Sequence, residues 1–112
     1  MFKLSTDPRF THTVKVQVPV DRGHEEQSFK ATFKVLPIDQ LDAGEGDEAN
    51  EADRQVRLLK DVIVDLGDMV DDAGEAIPYS EAIRDQLIGI PYVRIALVRT
   101  YIAAITKVKA GN

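Results

Sequence analysis

The segment from Pro91 to Val108 constrains the fold most, because its apolar residues cover more than half of a helical circumference. They recur at steps of three and four, as on a helix face. One stripe contains Val93, Leu97, Tyr101, Ala104 and Val108, and a second beside it contains Ile95, Val98, Ile102 and Ile105. Such a helix must be covered on most sides, by its own domain or by a second copy of the chain.

Length and composition indicate one ordinary globular domain. The chain has 112 residues, of which 44% are hydrophobic and 29% charged, and it contains no cysteine. Its apolar runs are shorter than the ~18–20 residues that cross a bilayer, and its N-terminus lacks the apolar region of a signal peptide. We therefore expect a cytoplasmic protein without disulfides or thiol chemistry.

The net charge of −5 is concentrated in the middle of the chain. Residues 38–75 contain thirteen Asp and Glu residues against three Lys and Arg residues. This argues against nucleic-acid binding, which requires clustered Lys and Arg side chains. The acidic region is either a solvated, solubilising surface or a surface that meets a basic partner.

Two stretches near the N-terminus alternate between apolar and polar residues, which is typical of half-buried strands. They are Thr13–Val20 and Gln27–Val35, and the polar loop Asp21–Glu26 joins them. The pattern predicts an antiparallel β-hairpin within residues 1–37. Pro19 has no N–H to donate, so its strand should lie at a sheet edge or the proline at a strand end.

Helical periodicity returns at Glu51, after a region that predicts a short helix and an acidic loop over residues 38–50. The predicted helix has Arg54, Arg57, Lys60 and Asp61 on its polar side. Its apolar face contains Ala52, Val56, Leu59, Ile63 and Leu66.

Turn and capping residues divide the remainder of the helical part. Asp71–Gly74 predicts a tight turn with Gly74 at positive φ, which pairs Met69–Val70 with Ala76–Pro78. Ser80 should cap the next helix, and Gly89 should end it in a left-handed conformation. The last helix would then fold back on this one as an αα-hairpin.

The sequence therefore predicts an α+β fold in a single domain, residues 1–112. An N-terminal antiparallel β-hairpin (1–37) precedes a short helix and acidic loop (38–50). A mainly α-helical C-terminal part (51–108) with three main helices follows.

Residues that could carry chemistry lack the required spacing. Asp65, Asp68, Asp71 and Asp72 do not match the alternating ligands of an EF-hand, and His12 and His24 do not form a zinc motif. The sequence has no cysteine and no Gly-x-Ser-x-Gly nucleophile motif. We expect no catalytic, metal or cofactor site, and a protein that is not an enzyme.

Residues 62–80 resemble the small tail assembly chaperones of long-tailed bacteriophages and prophages. Along the chain, those proteins contain a helix, a short acidic segment, an Asp-x-x-Gly motif, an apolar-Pro-aromatic-Ser/Thr motif and then two closing helices. Asp71–Gly74 and Ile77–Ser80 match these steps, and the opening Met1–Leu4 with Asp7-Pro8, the hairpin and the Phe29-x-x-x-Phe33 strand also fit. Leu66 departs from the pattern, since many such sequences carry tryptophan there.

The resemblance implies a binding role in the host bacterial cytoplasm. These chaperones keep the tape measure protein soluble while tail tube subunits polymerise around it, and they are absent from the mature virion. The candidate protein-interaction surface lies on the last helix, at Val93, Leu97, Val98, Tyr101, Ile102 and Ile105. The expected partners are the tape measure protein, tail tube protein and further copies of this chain. Two alternatives are a structural or connector subunit of the tail and a small regulatory protein-binding module.

Overall fold

The computed structural model describes residues 1–37 and 50–106. Their fold is α+β, as predicted, with a three-stranded antiparallel sheet and three helices. The elements in chain order are β1 (Arg9–Val20), β2 (Gly23–Lys34), α1 (Glu51–Val62), β3 (Ile63–Gly67), α2 (Glu81–Ile88) and α3 (Pro91–Thr106). The short helix and most of the acidic loop predicted for 38–50, and Val108, lie outside the described residues.

The N-terminal hairpin is confirmed, but its strands are longer than the alternation predicted. β1 and β2 pair in continuous register from Arg9 opposite Lys34 to Val20 opposite Gly23, which leaves a two-residue turn. Gly23 follows that turn with φ +132°, a conformation that favours glycine. The predicted six-residue loop was wrong because polar side chains at the exposed end of a hairpin do not prevent backbone pairing.

The strand order is β1-β2-β3, so β1 is an edge strand, as Pro19 predicted. The amide of Val35 donates to the carbonyl oxygen of Pro8 at 3.1 Å, which continues the ladder one pair beyond Arg9. Since hydrogen-bonded pairs alternate in antiparallel sheets, even-numbered residues of β1 bond to β2. The backbone groups of odd-numbered residues point to the free edge. Pro19 is odd-numbered, so its missing N–H removes no ladder bond.

The third strand corrects the sequence analysis, which extended the helix from Glu51 through Ile63 and Leu66. The helix ends at Val62, and Ile63–Gly67 pairs with β2. Phe33 lies opposite Ile63 while Thr32 lies opposite Asp65, so Val64 is the extra residue of a β-bulge. The bulge returns Ile63 and Leu66 to the same sheet face despite their helix-like spacing of three.

The turn after β3 forms as predicted. Val70 pairs with Ala76, and the amide of Ile77 donates to the carbonyl oxygen of Met69 at 2.9 Å. Gly74 has φ +82°. The Asp71 carboxylate stabilises the turn, since its Oδ1 accepts from the amides of Ala73 and Glu75 at 2.9 and 3.0 Å.

The α2–α3 junction is a corner and not the predicted hairpin. Ser80 caps α2 as expected, accepting the Ile83 amide at 3.1 Å. Gly89, however, has φ −71° and ψ −12°, so the predicted left-handed conformation was wrong. The amide of Ile90 donates to the carbonyl oxygen of Leu87 at 3.1 Å, and the Ile90 carbonyl accepts from the Val93 and Arg94 amides. The chain direction changes by 102° between the helices.

No single helix in the described part of the chain is long and apolar enough to cross a membrane. The bent pair α2 and α3 passes the same test jointly, by length and composition only.

The core lies between one face of the sheet and the helices. α3 packs beside β1 and against α1 and α2, and its Tyr101 ring contacts Phe33 of β2. The core residues are Val14, Val16, Phe29, Ala31, Phe33, Leu59, Val62, Ile63, Leu66, Ile88, Val93, Leu97 and Tyr101. Leu66, where many sequences of the family that this chain resembles carry tryptophan, is buried opposite Ala31.

Tyr101 links α3 to the end of β2. Its ring is fully buried and lies 5.3 Å from the ring of Phe33 and 6.0 Å from that of Phe10, measured between centroids. Its hydroxyl donates to the carbonyl oxygen of Lys34 at 3.3 Å and accepts from the amide of Leu36 at 3.4 Å. The buried phenol is therefore fully hydrogen-bonded, as burial of a polar group requires.

Tyr101 should make stability fall at alkaline pH. Burial raises the pKa of Tyr101 above the ordinary 10.0, although the Leu36 amide lowers it in part. The unfolded chain ionises first, so the free energy of unfolding should fall as pH rises through about 10. The slope from this group is at most about 1.4 kcal/mol per pH unit.

Denaturant unfolding between pH 8 and 11 tests this expectation. Tyr101→Phe should reduce the alkaline decline in the free energy of unfolding, while the control Tyr92→Phe, at an exposed tyrosine, should keep it. Equal pH slopes in both variants would show that the Tyr101 phenol is not the titrating group.

Candidate protein-interaction site

Three of the six residues assigned to the interaction surface from sequence belong to the core. Val93 is 6% exposed, and Leu97 and Tyr101 are fully buried. They form the stripe of α3 that faces the sheet, so they cannot contact a partner while the domain is folded. Their assignment to a surface is corrected on this basis.

The other three candidates lie on two sides of α3. Val98 and Ile105 are partly buried and pack against the core. They share their side of the helix with Arg94, whose Nε donates to Oε1 of Gln55 in α1 at 3.0 Å. Ile102 is 41% exposed and points away from the sheet. Ile102 is therefore the candidate that a partner could reach most easily.

Two exposed apolar residues of α3 were missing from the candidate surface. Tyr92 and Ile95 are 38% and 40% exposed. Both lie on the outer side of α3 with Ile102 and the exposed Arg99. Arg99 could have identified this side from sequence, since it lies four positions after Ile95 and three before Ile102, on one helix face.

A groove of about 330 Å³, which we call the apolar groove, lies where the hairpin, the turn after β3, α2 and the start of α3 meet. Val70 is 63% exposed at its side, and Met69 beside it is partly buried. Its other apolar lining residues include Val18, Phe29, Ile77, Ile83, Leu87, Ile90 and Tyr92. Flexible methionine side chains suit surfaces that adapt to a partner.

A second, wider groove of about 890 Å³ runs between β1 and α3. We call it the edge groove. Its strand side includes His12, Thr13, Lys15, Gln17 and Glu26, and its helix side includes Tyr92, Ile95, Ala96, Arg99, Thr100 and Ala103. It is more polar than the apolar groove and contains the free edge of β1.

Two of the four carboxylates considered for metal binding, Asp68 and Asp71, have contacts within the fold. Oδ2 of Asp68 lies 3.6 Å from Nζ of Lys30, and Asp71 binds the amides of its own turn. Within residues 1–37 and 50–106, no three His, Asp or Glu side chains are grouped so that they could hold a metal ion. The His12 and Phe10 rings form a T-shaped pair with their centroids 5.2 Å apart. In this part of the chain, the exposed apolar residues and the two grooves are the features suited to binding.

Comparison of the chain with protein-family models, with curated proteins and with solved structures finds no match.

The exposed outer side of α3 should support self-association. Wild-type protein at high micromolar concentration should elute as a dimer or larger species in size exclusion with light scattering. Ile102→Asp places a carboxylate where an apolar contact would form, so it should shift the protein toward monomer while keeping the native circular dichroism.

Ala82→Asp is the matched control, since Ala82 is exposed on α2, away from this surface. It should leave the mass unchanged. A wild-type protein that stays monomeric at high micromolar concentration would contradict the self-association prediction.

Proposed function

We propose that this protein is a tail assembly chaperone of a long-tailed phage or prophage, which binds helical segments of the tape measure protein during tail assembly. Tail tube protein is a proposed second partner, and the host bacterial cytoplasm is the proposed location. The observation that carries the proposal is the apolar groove, whose wall is built from the segment that resembles the chaperone family.

The link between resemblance and groove is residue by residue. Met69, Val70 and Ile77 line the groove and belong to residues 62–80, which carry the resemblance. The Asp71–Gly74 turn places Val70 beside Ala76 and brings these two apolar segments next to α2. The Asp-x-x-Gly step therefore has a structural role, which is to position Val70 in one wall of the groove.

The groove has the chemistry that an amphipathic helix requires. Helical peptides commonly bind by laying an apolar face into a hydrophobic groove. Each Leu, Ile or Val side chain fully buried in this way contributes ~1.5–3 kcal/mol, so a few anchors give useful affinity. Such binding should depend weakly on salt, because screening acts mainly on exposed charges.

The two alternative functions predict different experimental results. A structural or connector subunit of the tail would keep its contacts permanently and would be found in purified particles. A small regulatory module would bind one host protein and would not change the solubility of the tape measure protein. The proposed chaperone should bind during assembly and be absent from finished particles.

Co-expression with the tape measure protein of the same phage or prophage tests the proposal. Wild-type protein should increase the soluble fraction of the tape measure protein and co-purify with it. Val70→Asp should reduce both, because it places a charge at an exposed apolar position of the groove. Its backbone pairing with Ala76 does not depend on the side chain.

Val20→Asp is the matched control, since Val20 is also exposed, at 47%, but lies at the hairpin turn outside the groove. This variant should behave as wild type. A tape measure protein equally insoluble with and without the wild-type chain would contradict the chaperone role. Equal loss in both valine variants would show that the apolar groove is not the binding site.

A further inference from the structure

The free edge of β1 presents unpaired backbone groups. The hydrogen bond from Val35 to Pro8 shows that even-numbered residues of β1 bond to β2. The N–H and C=O groups of its odd-numbered residues therefore point away from β2. These residues are Arg9, Thr11, Thr13, Lys15 and Gln17. In the described part of the chain, no strand pairs with this side of β1. Edge strands of this kind are templates for a further strand.

The edge groove gives such a strand space and an apolar wall. It runs along β1 with a volume of about 890 Å³, and α3 forms its other side. Ile95, Ala96 and Ala103 lie on that side, and the two alanines are small enough to leave room. A strand placed ~4.8 Å from β1 would put alternate side chains toward α3 and toward the polar face of the sheet.

The charges of the groove select the partner. Lys15 and Arg99 both line it, and within residues 1–37 and 50–106 neither has an ion pair or a hydrogen bond from its side chain. Glu26 also lines the groove, and its Oε1 accepts from Nε2 of Gln17 at 3.2 Å. The groove is therefore cationic, although the whole chain carries a net charge of −5.

We propose that the edge groove binds an extended segment of a partner protein, which adds to β1 as a strand and alternates apolar with acidic side chains. The apolar side chains contact Ile95 and Ala96 of α3, and the acidic ones meet Lys15 on the polar face of the sheet. Backbone bonds of this kind supply affinity, and alternate side chains supply specificity. Pro19 limits the new ladder to the stretch before it.

Charge complementarity favours this occupant over β1 of a second copy of the chain. β1 contains Arg9 and Lys15 but no Asp or Glu, so pairing β1 with itself would add cations to a cationic groove. An acidic strand removes that repulsion. The proposal does not depend on the apolar groove, because the two surfaces bind different backbone conformations.

The test uses the full chain and a synthetic peptide of about ten residues that alternates valine and glutamate, a typical strand length. A peptide alternating valine and lysine is the control. Fluorescence anisotropy should show binding of the glutamate peptide and at least tenfold weaker binding of the lysine peptide. Amide hydrogen exchange should show new protection at Thr11, Thr13 and Lys15, while Val14 and Val16 keep their existing protection.

Two pairs of variants separate backbone and charge effects. Thr13→Pro removes one outward N–H without removing a β1–β2 bond, and Thr13→Ala keeps that N–H. We expect Thr13→Pro to weaken glutamate-peptide binding by about tenfold relative to Thr13→Ala. Lys15→Glu should weaken it while Arg22→Glu, at the hairpin turn, should not. Thermal unfolding checks that each variant is folded.

Protection on even-numbered residues, or equal binding of both peptides, would overturn the proposal. So would a folded Thr13→Pro variant that binds as tightly as Thr13→Ala. If Thr13→Pro does not fold, equal binding by Lys15→Glu and Arg22→Glu overturns it instead. None of these results changes the outcome expected for Val70→Asp, so failure here is distinguishable from failure of the chaperone proposal.

Discussion

The fold depends on the contact between the buried stripe of α3 and one face of the sheet. Leu97 and Tyr101 are fully buried against strand residues such as Val14 and Phe33. Burial of apolar area is the main source of folding free energy, and a chain of this size buries only a moderate fraction of its surface. The Tyr101 hydroxyl orients α3 in this apolar contact, since it forms hydrogen bonds with the backbone at Lys34 and Leu36, at the end of β2. It fixes where α3 lies along the strands.

This one-sided packing explains why apolar surface remains exposed. α3 is apolar on both sides, but the sheet and the other described helices cover only the stripe that faces them. Ile95 and Ile102 stay exposed, and the corner between α2 and α3 opens the apolar groove beside the turn after β3. α3 also lies along β1 without covering its free edge. A small domain with a three-stranded sheet thus keeps exposed apolar and backbone surface.

Local signals in the sequence predicted most of the fold, and failures have physical causes. Strand alternation, the Ser80 cap and Gly74 depend on near neighbours, and all three were confirmed. The bulge at Val64 could not be predicted, because it gives Ile63 and Leu66 the spacing of a helix. The site was harder still. An apolar helix does not show which stripe is buried, so core residues such as Leu97 were assigned to the surface. The edge groove requires knowing that α3 lies beside β1.

The proposed binding of a tape measure protein helix in the apolar groove is tested most directly by site-specific photo-crosslinking. A photoreactive amino acid at position 70, in cells that make both proteins, should crosslink to the tape measure protein at sites spaced by three or four residues, as on one helix face. The same amino acid at position 20 should give no such product. Crosslinks from position 20 but not from position 70, or from neither, would contradict the claim.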